Sequence, residues 1–182
     1  MHPHSTECPY SESVNPLSFD ARTEERRVRY RDVRESLRAL LLGESDWIAA
    51  MATTACELHH AFVYFDWTGF YRAVDGQTLV LGPYQGGHGC LRIELTRGVC
   101  GAAARTRTTQ LVDDVSARED HIACSTSTQS EIVVPIIAPT GRLLAVLDVD
   151  SNTRAAFGVI DREELEAICS MLAAQFANTA LL

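Results

Sequence analysis

The chain has 182 residues, 46% of them hydrophobic, which suits one compact domain with appendages and a real core. Its net charge of −8 argues against nucleic acid, whose phosphates call for a positive field. All sixteen basic residues are arginine, and without lysine there is no Schiff base, no pyridoxal-phosphate attachment, no P-loop lysine and no kinase lysine.

Residues 1–22 scatter prolines, serines and histidines without periodicity and read as a flexible extension. They match neither a secretory signal nor a transit peptide, and no apolar run approaches the roughly 18 residues that span a membrane. The expectation is a cytoplasmic protein with no membrane contact.

From residue 23 to residue 42, Tyr30, Val33, Leu37 and Leu40 recur at helical spacing, and Gly43 ends that helix. The interleaved acids make the arginines between 22 and 38 a solvated helix face. Ser45 is placed to cap a second amphipathic helix over 46–60. Residues 62–72 are dense in aromatic and β-branched types and read as a strand, answered across Gly76 by a strand at 78–84 and a shorter one at 91–95.

A small-residue stretch at 98–105 suits a short helix, and 113–130 is a polar loop of a length that is often functional. Residues 132–138 and 142–149 form a hairpin, where Pro135 asks for an edge position or a bulge. Asp161 and Glu164 suggest a capping box opening a last helix with Leu165, Ile168, Leu172 and Phe176 inward. The predicted class is α/β, more narrowly α+β: a mainly antiparallel central sheet packed by helices, occupying residues 23–182.

Six cysteines in a chain of this length, without a secretory signal, point to buried, redox-active or metal-bound thiols rather than a disulfide scaffold. Cys56 and Cys169 lie on helices and read as small hydrophobes, and Cys8 in the extension is unassigned. Cys90, Cys100 and Cys124 each stand at an element boundary or in a loop, among glycines or small polar residues. Such backbone lets a ligand approach closely. One alternative is inert burial. Another is zinc held by some of His88, Cys90, Cys100, His121 and Cys124, although no CxxC pair is present.

Strand periodicity puts Asp148 and Asp150 on one face of an apolar strand. There, mutual repulsion and burial would raise an apparent pKa, as a general acid requires. The plainer alternative is a solvated turn at Asp150 and an N-cap or loop hydrogen bond at Asp148. The same count puts Trp67 and Tyr71 on one face with Gly69 leaving room between them. They form either an aromatic wall for a sulfur-bearing ligand or two ordinary core rings.

The segments Trp67-Thr68-Gly69-Phe70-Tyr71, Leu81-Gly82-Pro83-Tyr84-Gln85-Gly86, Arg97-Gly98-Val99-Cys100-Gly101, His121-Ile122-Ala123-Cys124, Ser130-Glu131-Ile132-Val133-Val134-Pro135 and Leu147-Asp148-Val149-Asp150-Ser151 follow one another in register. Together they resemble the free methionine-(R)-sulfoxide reductases, enzymes built on a GAF domain. The similarity runs over about residues 30–180, and Asp66 departs from it by standing where asparagine is usual.

The resemblance implies that Cys124 attacks the sulfoxide and Cys90 closes a disulfide with it. Cys100 would be the third family cysteine. Trp67 and Tyr71 would enclose the substrate's methyl-sulfur end, with Glu131, Asp148 and Asp150 lining the pocket. It also implies no bound cofactor, an external dithiol reductant such as thioredoxin, and a homodimer. Two further readings use the same residues: a non-catalytic GAF sensor of a small molecule, for which the sequence leaves no room for an output domain, and a redox switch without turnover.

Overall fold

The computed structural model describes residues 15–20, 23–117 and 127–177. Helix α1 (Thr23–Leu40) and helix α2 (Trp47–Ala61) precede strands β1 (Trp67–Ala73), β2 (Thr78–Gln85) and β3 (Arg92–Glu94). Helix α3 (Gly98–Thr106), strands β4 (Gln110–Val112), β5 (Ser130–Ile137) and β6 (Leu143–Ser151), and helix α4 (Val159–Gln175) follow. The strands form one sheet in the order β3-β2-β1-β6-β5-β4. Every neighbouring pair is antiparallel. The predicted class therefore holds. Among the described residues no helix is long and apolar enough to cross a membrane.

Period-two alternation divides the molecule into two cores. Phe70, Ile132, Val134, Leu147 and Val149 pack with the apolar faces of α1, α2 and α4. Trp67, Tyr71, Val133 and Val146 point the other way and pack with Val99, Cys100 and Ala103 of α3. The helix-side core is the larger and mostly apolar, with Thr68, Ser130 and Ser151 as its buried polar strand residues. The α3 side is smaller and holds the acids.

Several sequence expectations change. Residues 62–66 precede the strand. Phe62, Tyr64 and Phe65 stack with one another in the helix-side core, so burial rather than extension accounts for their aromatic density. Asp46, not Ser45, caps α2, accepting from the Ile48 and Ala49 N–H groups at 2.7 and 3.0 Å. The N-cap of α4 is Gly158, and Asp161 sits inside the first turn, accepting the Gly158 N–H at 2.8 Å.

Asp161 is also fully buried and accepts from Tyr30 Oη, Tyr64 Oη and Arg26 at 2.8, 3.0 and 3.0 Å. Glu164 pairs instead with Arg34 at 3.2 Å. The arginines of α1 are thus not merely solvated: Arg26, Arg27 and Arg34 clamp α1 to α4.

Residues 15–20, assigned by sequence to the extension, lie against the domain. Leu17 bridges to Phe62, and Phe19 packs edge-on against Tyr64. Residues 1–14 fall outside the described set, as do 21 and 22. At Pro135 the short β4 has already ended, so the outer edge of β5 needs no N–H there, and a register shift follows at Ile136 and Ile137.

Candidate active site

Three neighbouring strands bring the predicted residues together. Asp150 on β6 lies opposite Trp67 on β1 and Glu131 on β5; one step along, Asp148 lies opposite Gly69 and Val133. Since side chains two apart share a face, Trp67, Tyr71, Glu131, Asp148 and Asp150 all project toward α3. Cys100, in the first turn of α3, meets them from above. Its thiol donates to Asp148 Oδ2 at 3.3 Å. Ligand atoms of Cys100, Glu131 and Asp148 lie within 4.8 Å of one another, and all three residues are buried.

This concentration of acid in a dry place sets the protonation states. Burial pushes the Asp148 carboxyl up to about 7, against which hydrogen bonds with Cys100 and Glu131 work in the opposite sense. Asp150 is raised too, by burial and then by the neighbouring Asp148 charge. Burial, followed by Asp148 and Glu131, lifts the Cys100 thiol well above its ordinary value. Tyr71 moves upward chiefly through burial, then through Asp148. Asp148 Oδ1 is buried without a hydrogen-bond partner among the described residues. A protonated or shared carboxyl is the arrangement that lowers the cost of such a cluster. Asp148 is therefore neither an N-cap nor a loop residue: it lies mid-strand, 6% exposed.

The aromatic pair is real, but the space between its members is not empty. A Cβ at Gly69 would lie 2.5 Å from Trp67 Cη2 and 2.4 Å from Tyr84 Cβ, so the indole itself covers the glycine. Trp67 stacks with Tyr71 at 5.8 Å and with Tyr84 at 5.4 Å between ring centroids. Its indole N–H donates to the Gly87 carbonyl at 3.0 Å, which ties the segment leading to Cys90 across the wall. The Cys90 N–H in turn donates to Tyr71 Oη.

Cys90 is disulfide-bonded, whereas Cys56, Cys100 and Cys169 are free. Cys124 and His121 fall outside the described residues. Among the described residues the possible metal-ligand group is Cys100, Glu131 and Asp148, a different set from the one that His88 and Cys90 would anchor. Asp66 adjoins the acid cluster, its charge adding to the upward shift of Asp150, and accepts from the Asn152 N–H at 2.7 Å and from Ser151 Oγ at 3.4 Å. An asparagine oxygen could accept the same two bonds without that charge.

Sequence reasoning misses two things. Tyr84 enters it only as part of a motif, because its place beside Trp67 depends on the pairing of Gly69 with Tyr84, which no periodicity reveals. The thiol-to-carboxyl contact joins residues 48 positions apart and has no local signal.

The GAF domain model matches residues 45–180. The free methionine-R-sulfoxide reductase of Saccharomyces cerevisiae is 40% identical over 136 residues, covering 71% of this chain and 76% of that protein. The Escherichia coli protein of the same name is 37% identical over 150 residues, covering 82% of this chain and 90% of its own length. Among solved structures, the free methionine-R-sulfoxide reductase of Neisseria meningitidis in complex with its substrate is 40% identical. It superposes with a TM-score of 0.80 over 90% of this chain and 96% of that one. With acids, aromatic wall and cysteines on one face of this sheet, the chain belongs to the free methionine-R-sulfoxide reductase family of GAF-domain proteins.

Proposed function

We propose that this oxidoreductase reduces free methionine-(R)-sulfoxide to methionine, through a sulfenic acid on Cys124 and an intramolecular disulfide with Cys90. The observation that carries the reading is the buried Glu131–Asp148 pair beside the Trp67–Tyr71 wall, with Asp148 held near neutrality. A sulfoxide sulfur is a weak electrophile until its oxygen takes a proton, and a carboxyl poised near the working pH is a suitable donor. The wall offers aromatic surface to the methyl-sulfur end. The acid cluster offers carboxyl oxygens to the ammonium of a free amino acid, which a methionine inside a polypeptide lacks.

The chemistry balances in three steps. The Cys124 thiolate attacks the protonated sulfoxide and takes its oxygen, giving Cys124 sulfenic acid and methionine. The Cys90 thiol displaces that oxygen as water, forming the disulfide. An external dithiol, thioredoxin in this reading, reopens it by exchange and supplies the two electrons. The disulfide-bonded state of Cys90, with Cys56, Cys100 and Cys169 free, agrees with the second step. No bound cofactor is required. The reading includes a cytoplasmic homodimer, and sedimentation of the purified protein tests the dimer.

The functional test is NADPH consumption in a mixture of thioredoxin and thioredoxin reductase on adding free methionine sulfoxide. The wild type consumes NADPH, Cys124→Ser does not, and Cys90→Ser yields about one methionine per enzyme before stopping. No consumption above background by the wild type removes the reductase reading and leaves a sensor or a redox switch. Multiple turnovers by Cys90→Ser would take that cysteine out of the resolving role.

A further inference from the structure

We propose that the chain has a second binding site, for a small organic anion with a carboxylate or phosphate head and an apolar body, in the cavity bordered by Arg105, Arg107 and Arg142. The inference does not depend on the reductase reading. The cavity lies on the same side of the sheet as the acid cluster but at the other end of its strands, where Ala73 closes β1 and Leu143 opens β6. Helix α3 runs between the two places, with Cys100 in its first turn and Arg105 in its last.

The cavity holds about 830 Å³. Its floor is apolar, with Ala73, Ala104 and Leu143 all buried. Three arginines stand on its border against one acid, Glu94, in a chain whose net charge is −8. Arginines elsewhere are matched with acids: Arg26 with Asp161, Arg34 with Glu164 and Arg154 with Asp114. Arg105 and Arg107 are not. Among the described residues their guanidinium groups donate to backbone carbonyls, those of Leu95 and Gly141, which fixes the side chains and leaves their charge uncancelled. Arg142 is fastened to the Ala177 carbonyl at 3.0 Å. A guanidinium engaged through one N–H keeps others for a ligand, and its planar fork matches carboxylate and phosphate oxygens. Side chains already held in place lose little further freedom when a ligand arrives.

The backbone of Arg107 is an independent sign. It ends α3 in the left-handed region, at φ 58° and ψ 29°, a conformation that glycine adopts at least cost. Among the described residues the other non-glycine with positive φ is Ala155. A long cationic side chain kept where the backbone favours none at all marks a functional constraint.

The test is calorimetric titration of the full-length protein with phenyl phosphate in low-salt buffer, beside inorganic phosphate and phenol. Phenyl phosphate should bind at about one equivalent per chain with a Kd at or below about 1 mM. Inorganic phosphate, which leaves the apolar floor uncovered, should bind at least about three-fold more weakly, and phenol should not saturate. Arg107→Gly suits the left-handed turn, so its Tm should stay within about 2 °C of wild type while phenyl phosphate binds at least about five-fold more weakly. Asp148→Asn, altered at the other end of the sheet, should bind as wild type does.

No saturable binding of phenyl phosphate, undiminished affinity in a folded Arg107→Gly, or loss of binding in Asp148→Asn would each overturn the second site while leaving the reductase reading intact. Should Arg107→Gly melt far below wild type, Arg142→Gln makes the same comparison, and undiminished affinity there would likewise overturn it.

Discussion

Asp148 shows how a single side chain trades stability for chemistry. Burial raises its carboxyl from 3.8 to about 7, so between those values the native state binds a proton that the unfolded chain has released. Its contribution to stability therefore declines as pH climbs through that window and is fully unfavourable above it. Asp148→Asn removes the charge and keeps the shape. Thermal melts should show the variant gaining on wild type from pH 4 to pH 8, by about 1–3 kcal/mol at the upper end. Its kcat should drop at least about a hundred-fold. A variant equally stable relative to wild type at both pH values would mean that the charge is not strained. The shared face of Asp148 and Asp150 was legible in the sequence, because two acids at period two inside an apolar strand must point the same way. That Cys100 engages one of them was not, since it depends on how α3 lands on the sheet.

The landing of α3 is decided by small side chains. Gly101 approaches the backbone oxygens of Leu95 and Glu94, and Ala103 and Ala104 are buried behind it. Gly101→Ala puts a methyl group 2.7 Å from the Leu95 carbonyl, so backbone must move. The expected cost is about 1–3 kcal/mol, read as a lower Tm, with faster alkylation of Cys100 as the helix lifts. An unchanged Tm and alkylation rate would show that the contact relaxes freely. At this scale the sequence was a good guide where periodicity or a breaker acts locally: both N-terminal helices, α3, the hairpin of β5 and β6, and the position of Pro135. It failed where tertiary packing overrides local chemistry. The aromatics at 62–65 are core rather than strand, and β4, three residues long, is too short to show a period. The pattern of Asp161 and Glu164 looked like a cap, yet both acids mainly serve the arginines and tyrosines of distant elements.

Across the whole molecule, Asp161 joins α1, the approach to β1 and α4 in one dry network of Arg26, Tyr30 and Tyr64. Truncating a buried acid of this kind strands a cation and two hydroxyls together. Asp161→Ala should cost about 3–5 kcal/mol in chemical denaturation, well beyond the loss from an exposed pair such as Arg27 and Glu163. A loss below about 1 kcal/mol would show that water replaces the carboxylate. The separation into two cores has an optical corollary. The chain contains two tryptophans, Trp47 packed on Phe176 among the helices and Trp67 hydrogen-bonded to the Gly87 carbonyl near the redox cysteine. With Trp47→Phe, the remaining emission becomes a reporter confined to the far side of the sheet. Its wavelength should shift when dithiothreitol opens the bond at Cys90, so the oxidation state of the protein can be followed in a cuvette without dye, label or coupled enzyme.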